Sequence, residues 1–257
     1  MDEHDIERAR RLIGSAQRIV ALTGAGISTD SGIPDFRGPN GLWTKNPAAE
    51  KAATLQHYLS DPDVRRFAWQ NRMRNMSLTV QPNSGHRALV ELQRLGRVLA
   101  LVTQNVDELH QRAGSDAASV VEVHGTMHRT LCWTCRDRRP MRESLERVVS
   151  GEEDPDCLVC RDAGRTGILK SDTISFGQNL VPEVIERAMQ SAAECDLLLA
   201  VGSTLQVYPV ANMVPIAARA GASVIIVNAE ATNMDPYADV VLRGQIGDIL
   251  PRLVTPA

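Results

Sequence analysis

The 257-residue sequence predicts an α/β fold: a doubly wound parallel sheet with a small metal-binding module and a helical insert. Three observations predict it. Short apolar runs recur along the chain, separated by segments with helical spacing. Several runs are continuously apolar, as in strands covered on both faces. Two Cys-x-x-Cys pairs, Cys132/Cys135 and Cys157/Cys160, interrupt the alternation.

The elements follow in order. IERARRLIGSAQ is a helix with Ile6, Ala9, Leu12 and Ile13 on one side. RIVALTGAG is a buried strand running into a glycine turn. Residues 41–80 hold no good strand and three aromatic-bearing helical patches. SGHRALVELQRLG, VPEVIERAMQSAAE and VPIAARAG are helical, while RVLALVTQN, SVVEVHG, DTISFG, CDLLLAVGS, SVIIVNAE and ADVVLRG are strands. Strand–helix alternation of this kind implies a doubly wound sheet. The expected division of this one catalytic domain is a sheet lobe of residues 1–40, 81–125 and 167–257, a loop and helical insert at 41–80, and a metal module at 126–166.

Composition narrows the function. A hydrophobic share of 43% with 23% charged residues excludes wholesale disorder. A net charge of -3 argues against a broad nucleic-acid footprint. The N-terminus MDEHDIERARR has no apolar signal region, and the uncharged stretch from Leu197 to Ala218 is broken by Gly202, Pro209 and Pro215. A cytoplasmic protein with no membrane partner is expected.

Paired C-x-x-C elements in a cytosolic chain point to metal before disulfides. Each two-residue gap lets a tight turn aim both sulfurs at one ion, and 21 residues separate the pairs. Four thiolates complete a tetrahedron around zinc and leave no position for substrate, so the expected role is structural. Two redox dithiols are the alternative, but one pair would suffice for that work. His128 is not needed as a ligand. Cys195, before DLLLAV, reads as a small buried residue.

Gly24-Ala25-Gly26 follows a strand as a dinucleotide-binding turn does, although the third glycine of G-x-G-x-x-G falls at Thr29. Asp35, Phe36 and Arg37 then place an acid, an aromatic face and a guanidinium beside a phosphate site. Further polar groups follow predicted strands: Gln104-Asn105-Val106-Asp107, His124-Gly125, Gly202-Ser203-Thr204 and Asn228-Ala229-Glu230. Ligands of open α/β sheets bind outside the carboxyl ends of the strands, so these groups point to one crevice. Asn228 and Glu230 suit ribose hydroxyls. His124, at a strand end before a glycine, is the candidate general base. His4, His57, His86 and His110 are expected on helix faces or loops.

Together these motifs resemble the sirtuin family of NAD-dependent protein deacylases, of bacterial type. GAGISTDSGIPDFRG, TQNVDELH, HG at His124, the cysteine pairs, GST at Gly202 and NAE at Asn228 run in family order over almost the whole chain. The resemblance implies a Rossmann-like large domain and a zinc-bearing small domain, with NAD as co-substrate and acyl-lysine side chains of other proteins as partners. It implies a phosphate loop at Gly24, Ala25, Gly26 and Thr29 with Asp35 and Arg37 beside it. Phe36 guards nicotinamide, Trp43 lies in the cofactor loop where Tyr is frequent, and Gln104, Asn105, Val106 and Asp107 meet ribose and carboxamide. Gly202, Ser203, Thr204, Asn228, Glu230 and Ile246 surround the adenosine half. His124 is the catalytic base, with Asn105 and Asp107 in the catalytic group. Ile174, Phe176, Gly177 and Val207 receive substrate, and Cys132, Cys135, Cys157 and Cys160 hold zinc.

The implied reaction begins with attack of the acyl oxygen on the ribose carbon that carries nicotinamide. Nicotinamide leaves, His124 deprotonates a ribose hydroxyl, and water yields free lysine and O-acyl-ADP-ribose. Three departures from the family pattern stand out. In LKSDTISFGQ, Ser171 replaces a proline and Gln178 an acid. Trp69-Gln-Asn-Arg72 stands where members that remove succinyl or malonyl groups carry Tyr-x-x-Arg, which makes Trp69 and Arg72 candidate substrate residues; the favoured alternative is that Trp69 packs in the helical insert while Arg72 faces solvent. Trp43 is the third. Deacetylation is the leading reading. Mono-ADP-ribosyl transfer, or removal of acidic acyl groups, are alternatives on the same site. A non-catalytic NAD-binding module is the third, and the presence of both Asn105 and His124 argues against it. The sequence names neither a protein substrate nor an oligomeric state.

Overall fold

The computed structural model describes residues 2–34, 47–75 and 80–254. Its strands are β1 (Ile19–Thr23), β2 (Val98–Thr103), β3 (Val120–Glu122), β4 (Gly125–Cys132), β5 (Arg138–Pro140), β6 (Leu169–Thr173), β7 (Leu197–Val201), β8 (Ser223–Val227) and β9 (Val240–Leu242). The chain divides into two compact units. One comprises Met1–Asp35, Val80–Val123 and Leu180–Ala257, the other Phe36–Thr79 and His124–Asn179.

The first unit is a six-stranded sheet in the order β3-β2-β1-β7-β8-β9. Every pairing is parallel. The chain winds outward from β1 to β3, then returns to the other side of β1 as β7. That reversal places the switch point of a doubly wound sheet between β1 and β7. Side chains alternate strictly across the sheet. Ile19, Ala21, Leu197, Leu199 and Ile225 enter one apolar layer, with Ile6, Ala9 and Ile13 of helix Glu3–Ser15. Val20, Leu22, Leu198, Ala200 and Ile226 enter the other, with Ala188 and Ala192 of helix Pro182–Glu194. Burial on both faces is why these strands read as unbroken apolar runs.

The second unit contains the helices Pro47–Ala52, Leu55–Ser60 and Pro62–Asn75 and a three-stranded antiparallel sheet, β5-β4-β6. Here the expected boundaries need correction. Residues 167–179 were assigned to the large lobe. Instead β6 pairs with β4, Cys132 opposite Leu169 and Thr130 opposite Ser171. Its sequence, LKSDT, lacks the apolar continuity of a strand in the large sheet, and β6 starts earlier and ends earlier than the run DTISFG. The run SVVEVHG also divides. β3 ends at Glu122 and β4 begins at Gly125, whose φ of +73° turns the chain. A Cβ at Gly125 would lie 2.0 Å from the Asp172 carbonyl oxygen, so only glycine lets β4 and β6 approach there. Among the described residues, no helix is long and apolar enough to cross a membrane.

Candidate cofactor and metal sites

The carboxyl ends of β1 and β7 meet almost backbone to backbone. Gly24 N donates to Val201 O at 3.0 Å and Gly26 N to Gly202 O at 2.8 Å. A Cβ on Gly24 would stand 2.7 Å from Gly202 O, and one on Gly26 would stand 2.8 Å from Gly202 Cα. The glycines of the turn are therefore demanded by the β7 turn as much as by any ligand. The chain then coils as a short 3₁₀ helix, Ala25–Ser31, which Gly32 ends in the left-handed region. Thr29 closes its first turn, Oγ1 donating to Gly26 O at 2.8 Å.

The strand ends beside this turn carry a polar relay. Asn105, 6% exposed, donates through Nδ2 to Gly24 O and to Ser28 Oγ, each at 3.1 Å. Ser28 Oγ donates to Asp107 Oδ2 at 2.7 Å, and Asp107 Oδ1 accepts Leu109 N at 2.9 Å. Asn105 and Asp107 thus hold the glycine turn against the loop after β2. Ser28 links them, a role that reading the motif alone did not assign. Gln104 Nε2 donates to Ser203 Oγ at 2.9 Å, joining the β2 and β7 ends. Val106 lies in the same loop, half-buried.

Farther along the same edge, Thr204 is exposed and Ser203 half-buried beside Gly202. Asn228, nearly buried, folds its Nδ2 onto Glu230 O at 2.9 Å and leaves the Glu230 side chain exposed. Arg243 ties the loop down, donating to Asn228 O at 3.2 Å and pairing with Asp235. Ile246 opens the helix Ile246–Val254, and its Cδ1 lies 2.8 Å from where a Cβ on Gly202 would stand. The described members of the expected cofactor set, from Gly24 to Ile246, therefore gather along the carboxyl edge of one sheet. Val207 belongs to the same unit, half-buried in the loop after β7. Asp35, Phe36, Arg37 and Trp43 lie outside the described residues.

In the second unit, His124 is half-buried at the entry to β4. Its carbonyl accepts Ile174 N at 2.8 Å, so the base candidate and the first substrate residue are joined through main chain. Phe176 N donates to Ala53 O and Leu55 N to Phe176 O, both at 2.9 Å, which anchors the segment after β6 to the helical insert. Phe176 and Gly177 are exposed, Gly177 with φ +78°. Gln178 Oε1 accepts Ser175 N at 3.2 Å, closing the turn as a neutral side chain can.

Trp69 packs in the interior, as the alternative to an acyl-reading pair has it, whereas Arg72 does not face solvent as that alternative expects. Trp69 is 0% exposed and packs with Met141, Val148, Leu169 and three of the cysteines. Its ring belongs to the core of the second unit, not to a substrate wall. Arg72 neither reaches solvent freely nor stands alone. Its guanidinium lies 5.3 Å from the Trp69 ring centroid and 5.7 Å from that of Tyr58. Nη2 donates to Ser171 Oγ at 3.0 Å, while Nη1 is buried without a partner among the described residues. Ser171, in the usual proline position, is what gives Arg72 this anchor. Beside it Lys170 is 1% exposed, its Nζ donating to Ser171 O at 2.9 Å and Thr173 O at 2.5 Å. Burial first, then the Arg72 charge, holds its ammonium down to about 8.

The four cysteines converge. Their sulfurs lie within 4.8 Å of one another, with Cys132–Cys160 at 3.8 Å and Cys135–Cys157 at 3.6 Å. A zinc tetrahedron with bonds of about 2.3 Å has edges of about 3.8 Å, so the cage has the right size. Burial pushes the Cys160 thiol up to about 12, and a thiolate there needs a cation to offset it. Gly167 permits the closure: a Cβ there would lie 2.7 Å from Cys160 Sγ. The residues fit structural zinc.

Comparison with known proteins gives the same picture. A family model described as the Sir2 family matches residues 24–209. An NAD-dependent protein deacetylase of Streptomyces coelicolor is 45% identical over 236 residues, covering 92% of this chain and 96% of that protein. An NAD-dependent protein deacylase of Thermococcus kodakarensis is 40% identical over 248 residues, 96% of this chain and 93% of that one. A solved complex of Sir2 with a p53 peptide and NAD+ superposes with a TM-score of 0.84 at 30% identity, covering 96% of each chain. Another Sir2 enzyme structure gives 0.86 at 40% identity, over 98% of this chain and 97% of that one. Since the match begins at the glycine turn after β1 and runs past β7, and the relatives agree over nearly their whole lengths, this chain belongs to the Sir2 family.

Proposed function

We propose that this protein is an NAD-dependent protein-lysine deacylase that prefers acetyl-lysine and releases nicotinamide, free lysine and O-acyl-ADP-ribose. The carrying observation is the switch point, where the Gly24–Gly26 turn is locked to Gly202 and backed by Asn105, Ser28 and Asp107. Such a turn suits a pyrophosphate, and the Gln104 and Asn105 loop suits the ribose beside it. NAD supplies the leaving group and the acceptor ribose. His124 takes the proton from a ribose hydroxyl, and the main chain from Ile174 to Gly177 pairs with the acyl-lysine peptide. The cysteine cage holds zinc as a structural ion only.

The test is nicotinamide release from NAD with and without an acetylated peptide, with products identified by mass. Release without peptide, with ADP-ribose appearing on protein, would favour ADP-ribosyl transfer instead. His124→Ala should lower turnover by about 10²- to 10⁴-fold while retaining NAD binding.

One observation favours a second acyl preference. Nη1 of Arg72, without a partner among the described residues, has N–H groups free to donate to a carboxylate. The Ser171 bond and the two ring contacts already occupy the rest of that guanidinium, which supports the acetyl reading. Comparing kcat/KM for acetyl and succinyl forms of one peptide decides it. A succinyl preference that vanishes in Arg72→Met would overturn the acetyl preference.

A further inference from the structure

Two buried histidines remain outside the proposed chemistry. Both stand on helices, as expected, but on faces turned into the interior. His86 is 0% exposed on helix Ser84–Arg94, and His110 is 1% exposed on helix Leu109–Ala113. Their ring centroids lie 5.0 Å apart with planes tilted by 55°. Each ring uses one nitrogen. His110 Nε2 bonds Thr23 Oγ1 at 2.9 Å. His86 Nδ1 lies against Asn83 alone, 3.1 Å from its side-chain Oδ1 and 3.4 Å from its backbone N, completing a capping box at the start of the helix. The other two nitrogens, His86 Nε2 and His110 Nδ1, are buried with no partner among the described residues.

The two used nitrogens lead to opposite ends of the same turn. Thr23 is the last residue of β1, immediately before Gly24. Asn83, whose Oδ1 accepts Gly85 N and His86 N, points its Nδ2 the other way. There it donates to Ile27 O at 2.7 Å and Ser31 Oγ at 2.9 Å, inside and at the end of the 3₁₀ segment. Burial favours the neutral form of both rings, with the Arg87 charge adding to it at His86 and the neighbouring His86 adding to it at His110. A neutral imidazole can serve as a fixed partner without adding charge near the turn.

We propose that His86 and His110 are positioning residues that hold the two ends of the Gly24–Ser31 turn in the conformation that receives the NAD pyrophosphate. The proposal rests on the reading of that turn as the cofactor site. It also explains why two unpartnered buried nitrogens are tolerated. A phenylalanine at either place would fill similar space without an unsatisfied atom, so packing alone gives no reason for histidine.

Isothermal titration with ADP-ribose, together with KM for NAD and for peptide, tests it. His110→Phe and His86→Phe should each weaken ADP-ribose binding about ten-fold, the worth of one hydrogen bond to a buried group, and leave the peptide KM unchanged. His110→Gln and His86→Asn place an amide near the nitrogen in use and should restore most of the affinity. Thr23→Val deletes the same bond from the strand side. It should match His110→Phe, and the double variant should be no worse than either single one. Should a Phe variant fail to fold, Thr23→Val and its double with His110→Gln carry the test. Folded Phe variants with wild-type affinity, or Gln and Asn variants as weak as Phe, would overturn the proposal while leaving the cofactor site intact. A wild-type protein that binds no ADP-ribose would overturn the reading of the turn and the positioning role with it.

Discussion

The two units are held together by different means. The sheet unit buries an apolar layer on each face, with Ile19, Leu197 and Leu199 on one side and Leu22, Leu198 and Ile226 on the other. Among the described residues, the core cluster of the second unit is small, and three of its seven members are cysteines. Around that cluster sit an interior lysine, a half-buried arginine and hydroxyls bonded to one another, Ser171 Oγ to Thr173 Oγ1 at 2.8 Å among them. A core this small does not stabilise itself by area. The first unit thus depends on shape and apolar packing, the second on a metal and a few polar anchors.

The largest expected effect separates the units outright. Structural zinc contributes on the order of 10 kcal/mol in small domains, so Cys160→Ser or a strong chelator should unfold the cysteine module. Hydrogen exchange should show β4 to β6 losing protection while β1 and β7 keep theirs. Equal loss in both units would break the comparison. Next comes Leu199→Ala, deep in the sheet unit, which should cost about 2–5 kcal/mol in urea unfolding. The protein should keep its bound zinc.

Acid separates them by a third route. Burial first, and Arg87 second, hold His86 down from 6.5 to about 4, and burial holds His110 well below its ordinary value. The unfolded chain therefore takes up protons that the fold refuses. Stability from these rings is fully present above 6.5 and is lost as the pH falls towards about 4. Amide exchange in helix Ser84–Arg94 should accelerate over that window, and His86→Phe should flatten the response. A smaller effect, about 1 kcal/mol for one hydrogen bond, is expected from Arg72→Met through loss of the Ser171 contact. The smallest is Arg252→Ala at the exposed Glu3 pair, within about 1 kcal/mol by thermal melting.

Sequence legibility followed the same divide. β1, β2, β7 and β8 are visible because burial on both faces leaves unbroken apolar runs, and the glycine turn is visible because backbone contact admits no side chain. The cysteines announce themselves by spacing. β6 does not, since LKSDT carries the polar partners of Arg72 and the Lys170 ammonium in place of an apolar run. The contact between Arg72 and Ser171 spans 99 residues, and no local pattern encodes it. His86 and His110 are hidden for another reason. Histidine is at home on surfaces and in cores alike, and only the fold shows that both rings turn inward towards Thr23 and Asn83.

The strand order also sets a timetable for the chain as it is made. β1 is made before both of its neighbours, β2 near residue 100 and β7 near residue 200. Until β7 exists, one edge of β1 is unpaired and the glycine turn lacks Val201 and Gly202 to close it. Every segment of the cysteine module, by contrast, is complete by Asn179. A product truncated between Asn179 and Leu197 would carry a finished metal module and no cofactor turn. Translation that stops there yields a zinc-binding chain with an open strand edge, a target for chaperones and proteases rather than a weakened enzyme.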